Sequence, residues 1–136
     1  MATLFTKIIQ GEIPGRFVYR DEQCVAFMTV APIRPGHTLV VPIREVDHWI
    51  DLGPELTAHL FTVAQRISRG IQKGFGCRKV GLSIVGLEVP HCHLHLLPLD
   101  AMADMDFARQ RKDTPAAELD AAAETLRAAL AALPRS

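Results

Sequence analysis

The chain has 136 residues, and fifteen Lys and Arg balance fifteen Asp and Glu, so the formal net charge is zero with six His left over. That length suits a single domain that buries a core without disulfides or a structural metal. A balanced charge with no basic run excludes a nucleic-acid binder working by phosphate neutralisation. At 49% apolar and 22% charged the composition is that of a globule, and no apolar stretch reaches the length of a membrane span. Thr3, Thr6 and Lys7 interrupt any secretion signal over Met1–Gln10, so a cytoplasmic address is expected. Cys24, Cys77 and Cys92 are odd in number and widely spaced, which supports neither a disulfide framework nor a CxxC zinc knuckle.

Along the chain, Leu4, Phe5, Ile8 and Ile9 fall at helical spacing between Thr3 and Glu12, and Gly11, Pro14 and Gly15 close that helix. Phe17–Arg20 and Cys24–Val30 read as strands around a polar turn, Asp21–Gln23. Ala31–Gly36 is a loop, and His37–Val41 is a strand stopped by Pro42. Asp47–Leu52 reads as a short helix. A long helix follows, with Pro54 in its first turn and a stripe of Leu56, Leu60, Val63, Ile67 and Ile71. It ends near Gly74 and Gly76. Val80–Val85 and His91–Leu97 read as strands flanking a turn at Gly86–Pro90. Asp100–Asp113 is polar and irregular. Thr114 reads as the cap of a last, Ala-rich helix with Pro115 at its first position and Leu119, Leu126, Leu130 and Leu133 on its apolar face. Hairpin-compatible links predict an α+β fold with an antiparallel sheet of about five strands, two main helices and a C-terminal helix. The expected domain is 1–136, with a core of about 4–98 and an extension, 99–136, whose helix covers about 114–133.

The informative segment is Val-Pro-His-Cys-His-Leu-His-Leu-Leu-Pro, residues 89–98. In a strand, alternate residues share a face, so His91, His93 and His95 point one way, about 6.6 Å apart per pair at a rise of ~3.3 Å per residue. Cys92, Leu94 and Leu96 point the other way, into the core. Packing alone does not explain three successive histidines on one face. Two chemistries suit them. Imidazoles two apart can share a zinc ion, with His37 a further ligand. Alternatively, a neutral imidazole attacks phosphorus while its neighbours orient it and bond the phosphate oxygens.

The segment His91-Cys92-His93-Leu94-His95-Leu96-Leu97 fits every position of the signature of the histidine triad family, and the chain resembles that family also in Phe5–Pro14 and in Arg34–Pro42, in family order. It is most similar to the branch of small, dimeric nucleotide-binding proteins and purine nucleoside phosphoramidases. The resemblance implies that His93 is the nucleophile, forming a nucleotidyl-histidine that water cleaves. His95 would bond the phosphate or leaving group, with His91 and His37 behind them as a relay. It implies a nucleobase cleft lined by Leu4, Phe5, Ile8, Phe27 and Val30, each of which packing alone would also explain. It implies a homodimer acting on a nucleotide substrate, with neither metal nor organic cofactor.

Two positions depart from the family pattern. Thr29 stands where relatives carry an Asp that binds the ribose hydroxyls, and Glu88 stands in a short pre-triad loop where relatives carry a Ser or Thr at phosphate. Elsewhere the residues read as solvated or packed. Asp47-His48-Trp49 reads as an exposed helix start, the alternative being a polar contact near the cleft; His59 faces water, Cys92 is buried and unreactive, and Arg109, Arg111 and Lys112 read as a solvated loop, the alternative being a phosphate contact. The alternatives to a hydrolase are a nucleotide-binding regulatory module with little turnover and a zinc protein built on the histidine cluster.

Overall fold

The computed structural model describes residues 2–135; Met1 and Ser136, the ends of the expected domain, lie outside the described residues. In chain order the elements are α1 (Leu4–Ile9), β1 (Phe17–Arg20), β2 (Cys24–Met28), β3 (Thr38–Pro42), α2 (Pro54–Phe75), β4 (Lys79–Ser83), β5 (Leu94–Leu99) and α3 (Ala116–Ala131). The strands form one sheet in the order β1-β2-β3-β5-β4, with every neighbouring pair antiparallel. The predicted α+β architecture is therefore what the chain adopts. The β1–β2 turn is fixed by Asp21, whose Oδ1 accepts the N–H groups of Gln23 and Cys24.

The two faces of the sheet carry different loads. Cys24, Ala26, Met28, Val40, Leu94 and Leu96 join the stripes of α2 and α3 in the main core. Phe5, Val25, Phe27, Leu39 and Val41 make a smaller core under α1. Both faces being covered, β2 and β3 are buried at every position, which is why Cys24–Met28 and Leu39–Val41 read as unbroken apolar runs. On β2 the period of two assigns Ala26 and Met28 to the helices and Phe27 to the α1 side.

The helix α2 starts at Pro54 and stops at Gly76, which takes the left-handed conformation at φ 68°. Across it lies α3. A Cβ on Gly70 would come within 2.6 Å of Leu130 Cδ2, so glycine sets the approach of the two helices. Ala123 and Leu126 of α3 belong to the main core, and Arg127 Nε donates to the Phe17 carbonyl on β1. The segment beyond residue 98 is thus packed into the same body as the sheet.

Several expected boundaries move. The strand predicted from His91 begins only at Leu94, because the backbone of residues 91–93 is irregular. Thr29 and Val30 fall outside β2, His37 precedes β3, and β4 runs from Lys79 to Ser83. The helix expected at Asp47–Leu52 is one 3-10 turn, Trp49–Asp51, capped by His48. Pro115, not Thr114, occupies the cap of α3, and the Thr114 hydroxyl donates instead to the Arg111 carbonyl. Two 3-10 turns, Met102–Met105 and Phe107–Arg109, order part of the stretch read as irregular. His59 does not simply face water: its Nε2 lies 2.7 Å from Asp21 Oδ2, joining α2 to the β1–β2 turn.

Candidate active site

The motif meets three elements: the first turn of α1, the end of β3 and the start of β5. His91 and His37 are fully buried, whereas His93 and His95 line a cleft of about 490 Å³. The expectation that all three motif histidines share one open face is corrected here. Without a strand at 91–93, His91 turns back, its Nε2–H donating to the Pro42 carbonyl at 2.7 Å. Its Nδ1 accepts the Thr3 hydroxyl at 2.6 Å. Thr3 also caps α1, its oxygen accepting the Thr6 N–H.

The partners fix every tautomer, because a carbonyl only accepts and an amide N–H only donates. His93 Nδ1–H donates to the His91 carbonyl at 2.7 Å, so the neutral ring carries its lone pair on Nε2. His37 Nδ1 accepts the Ile33 N–H at 3.1 Å, so its proton sits on Nε2 and is donated to His95 Nδ1 at 2.9 Å. Neutral His95 then carries its own proton on Nε2. Neither His93 Nε2 nor His95 Nε2 has a protein partner, and no buried side-chain polar atom is left unpaired among the described residues, so both atoms open to the cleft. The two rings are 4.8 Å apart between centroids. The cleft therefore offers one lone pair beside one N–H.

Burial keeps these rings neutral. It pushes His95 down to about 4, with His93 beside it acting in the same direction. It pushes His37 down to about 3, with His95 and then His93 adding to the effect. His93 is also lowered, mainly by burial, against which the His91 carbonyl works. Two phenylalanines supply much of that enclosure edge-on: Phe5 lies 4.8 Å from His93, and Phe107 lies 4.7 Å from His95, between ring centroids.

All seven residues predicted to hold a nucleotide, Leu4, Phe5, Ile8, Phe27, Thr29, Val30 and Glu88, line the same cleft. Phe5 and Phe27 are also core, whereas Leu4 and Val30 are exposed. Lining or supporting residues that escaped the sequence reading include Thr3, Phe107 and Gln110. The aromatic ring of Phe107 in an otherwise polar stretch was the available signal, and nothing in the sequence marks Thr3, 88 positions from its partner. Of the three cations taken as solvated, Arg109 is exposed, Arg111 pairs with Glu118 through both terminal nitrogens, and Lys112 borders the cleft. Asp47, His48 and Trp49 are exposed, as expected. Cys92 is buried with its thiol pushed up to about 11 by burial, then by Asp47.

A small antiparallel α+β domain with two imidazole nitrogens open to an apolar cleft defines the class. Residues 10–102 match the HIT domain model. The chain is 33% identical over 102 residues to "Protein hit" of Bacillus subtilis, covering 70% of this chain and 69% of that protein. It is 36% identical over 91 residues to an asymmetrical bis(5′-nucleosyl)-tetraphosphatase of Schizosaccharomyces pombe, covering 63% of this chain and 50% of that protein. The crystal structure of a zinc-bound histidine triad family protein from Mycobacterium smegmatis superposes with a TM-score of 0.82 at 29% identity, covering 96% of this chain and 94% of that one. The chain belongs to the HIT domain family.

Proposed function

We propose that the protein is a nucleotidyl hydrolase or transferase that cleaves a nucleoside phosphoramidate or a related P–N or P–O bond through His93. The observation that carries this reading is the pair of open ring atoms, a lone pair on His93 Nε2 and a proton on His95 Nε2. His93 Nε2 attacks phosphorus while His95 Nε2–H bonds a phosphate oxygen or the leaving atom. The bond from phosphorus to the leaving group breaks, a P–N bond to His93 forms, and the leaving group takes up a proton. Water then forms a P–O bond, the P–N bond breaks, and a proton from that water is released. His37 and His91 act as positioning residues, holding the tautomers of His95 and His93. The apolar wall of Leu4, Phe5, Ile8, Phe27 and Val30 suits a base, and Thr29 and Glu88 border the rest of the nucleotide.

The test is turnover of a purine nucleoside phosphoramidate by wild type and His93→Ala. Loss of at least roughly 10³-fold in kcat supports the assignment. Unchanged turnover overturns it. Quenched wild type should carry acid-labile, alkali-stable phosphorus label on protein. A nucleotide-binding module without catalysis would bind nucleoside monophosphates yet turn over nothing in a substrate panel. The zinc reading suits the histidines less well, because His37 and His91 have both ring nitrogens engaged, leaving two donors where a site needs three or four.

Residues 1–136 are proposed to act as one domain, in the cytoplasm, where the free buried cysteines Cys24, Cys77 and Cys92 would stay reduced. A homodimer is part of the same reading. Strand β4 is a sheet edge, and beside it Phe61, Ala64 and Ser68 of α2 form a groove with Val80 and Leu82. Phe61 is 41% exposed and Leu82 37%, which suits coverage by a second copy. Sedimentation of Phe61→Asp against wild type tests it: a dimer that dissociates supports the assembly, and a monomeric wild type overturns it. No helix among the described residues is long and apolar enough to cross a membrane.

A further inference from the structure

The aromatic ring against His95 comes from outside the family domain. Phe107 lies beyond residue 102, where that domain ends, and opens the 3-10 turn Phe107–Arg109. Its ring meets the His95 ring at 4.7 Å between centroids and an angle of 75°, and the His37 ring at 6.3 Å and 72°. His95 is only 7% exposed, whereas Phe107 is half-buried, which makes Phe107 an outer cover on that imidazole. The chain is tied down on both sides of it. Before it, Asp104 Oδ2 accepts the N–H groups of Asp100 and Ala101 at 2.8 and 2.9 Å and pairs with Arg34 at 3.0 Å. After it, Gln110 Nε2 donates to the Ala31 carbonyl at 3.0 Å, and the Arg111 N–H donates to the Pro32 carbonyl at 3.0 Å. Arg34, Ala31 and Pro32 belong to the loop before His37, whose Ile33 N–H also fixes the His37 tautomer. One loop thus secures two neighbours of His95, the imidazole that donates to its Nδ1 and the strap that carries Phe107.

We infer that Phe107 is a positioning residue of this site, covering His95 so that its ring stays dry and neutral as an Nε2–H donor to the reacting phosphoryl group. The donor role rests on the nucleotidyl reading above; the cover does not. A phenyl ring excludes water without offering the hydrogen bonds that an imidazolium needs, and a donor aimed at developing charge is worth most where water is absent. The titratable groups beside His95 are His37 and His93, at 5.2 and 4.8 Å between ring centroids. Strands β3 and β4 pair it with the uncharged Leu39 and Ser83. The strap adds the exposed Asp106 and Arg109 next to Phe107, and Arg16, Glu88 and Lys112 are the charged residues that line the cleft.

An NMR titration of the full chain with ring-labelled histidine tests the cover, His95 being assigned by the signal lost in His95→Asn. Wild-type His95 should stay neutral down to about 4. In Phe107→Ala it should titrate about one pH unit higher, toward the ordinary histidine value, and Phe107→Leu should restore most of the difference. The acid limb of single-turnover phosphoramidate cleavage should move the same way. An unmoved His95, or one that titrates lower because the phenyl ring had favoured the imidazolium, overturns the role whatever happens to Tm. Should Phe107→Ala not fold, Gln110→Ala, which keeps the ring and removes one anchor, decides by the same criterion. A raised His95 titration in a protein that cleaves no nucleotidyl substrate overturns the nucleotidyl reading alone, whereas cleavage with an unmoved His95 overturns the Phe107 role alone.

Discussion

His37 and His91 lie one layer behind His93 and His95, and the four side chains are chemically identical. The inner pair is fully buried with both ring nitrogens of each ring engaged, while each outer ring keeps one nitrogen open to the cleft. Hydrogen-bond partners, not residue type, thus divide the four into groups that react and groups that orient. The inner pair needs something incapable of changing its mind: carbonyl oxygens and an amide N–H hold one direction of donation at any pH.

The largest effect that would break this division is on turnover. His93→Ala should remove at least roughly 10³-fold of kcat with little change in Tm. A Tm loss as large as the inner pair's would mean that His93 is structural. His95→Ala should cost roughly 10²-fold, the worth of one aligned donor to developing charge, read by single-turnover kinetics. The inner pair should respond in stability. His91→Ala strands the Pro42 carbonyl and the Thr3 hydroxyl and should cost about 1–3 kcal/mol by urea denaturation.

The pH dependence sharpens the comparison. Both His37 and His95 have folded pKa values depressed below the ordinary 6.5, to about 3 and about 4. Between 6.5 and those values the unfolded chain binds more protons than the native one, so stability falls as pH drops through that window. Tm measured from pH 7 to pH 4 should decline, and His95→Asn should flatten the decline. The smallest effect is expected from Thr3→Val, which deletes the hydroxyl facing His91 Nδ1 at nearly constant volume. It should lower kcat a few-fold, about 1 kcal/mol in barrier, with KM unchanged. Its pH profile should shift relative to wild type if His91 orients His93, and should stay in place if Thr3 only caps α1.

Much of this molecule is legible in the sequence because its physics is local. The stripes of α2 and α3, the Asp21 turn and the unbroken runs of β2 and β3 each follow from spacing within a few residues. The motif names three of the four histidines, the Arg34–Pro42 segment holds the fourth, His37, and the family resemblance supplies the cleft residues. What stayed hidden depends on distant partners. Whether His91 joins a strand is decided by Pro42 and Thr3, 49 and 88 positions away. Whether Lys112 is solvent or cleft is decided by Ala31 and Pro32. Periodicity assigned His91 to the open face because it assumed a ladder that does not begin until Leu94.

That late start has a kinetic meaning. In a continued strand the His91 carbonyl would face a neighbouring backbone N–H; here it holds the His93 ring instead. The ring is therefore moored just beyond the last β3–β5 pair, Val40 with Leu94. Each local opening of that end would release the imidazole to rotate and exchange its proton. If that opening limits the lifetime of the reactive tautomer, amide exchange in the first paired residues, Val40 and Leu94, would report it.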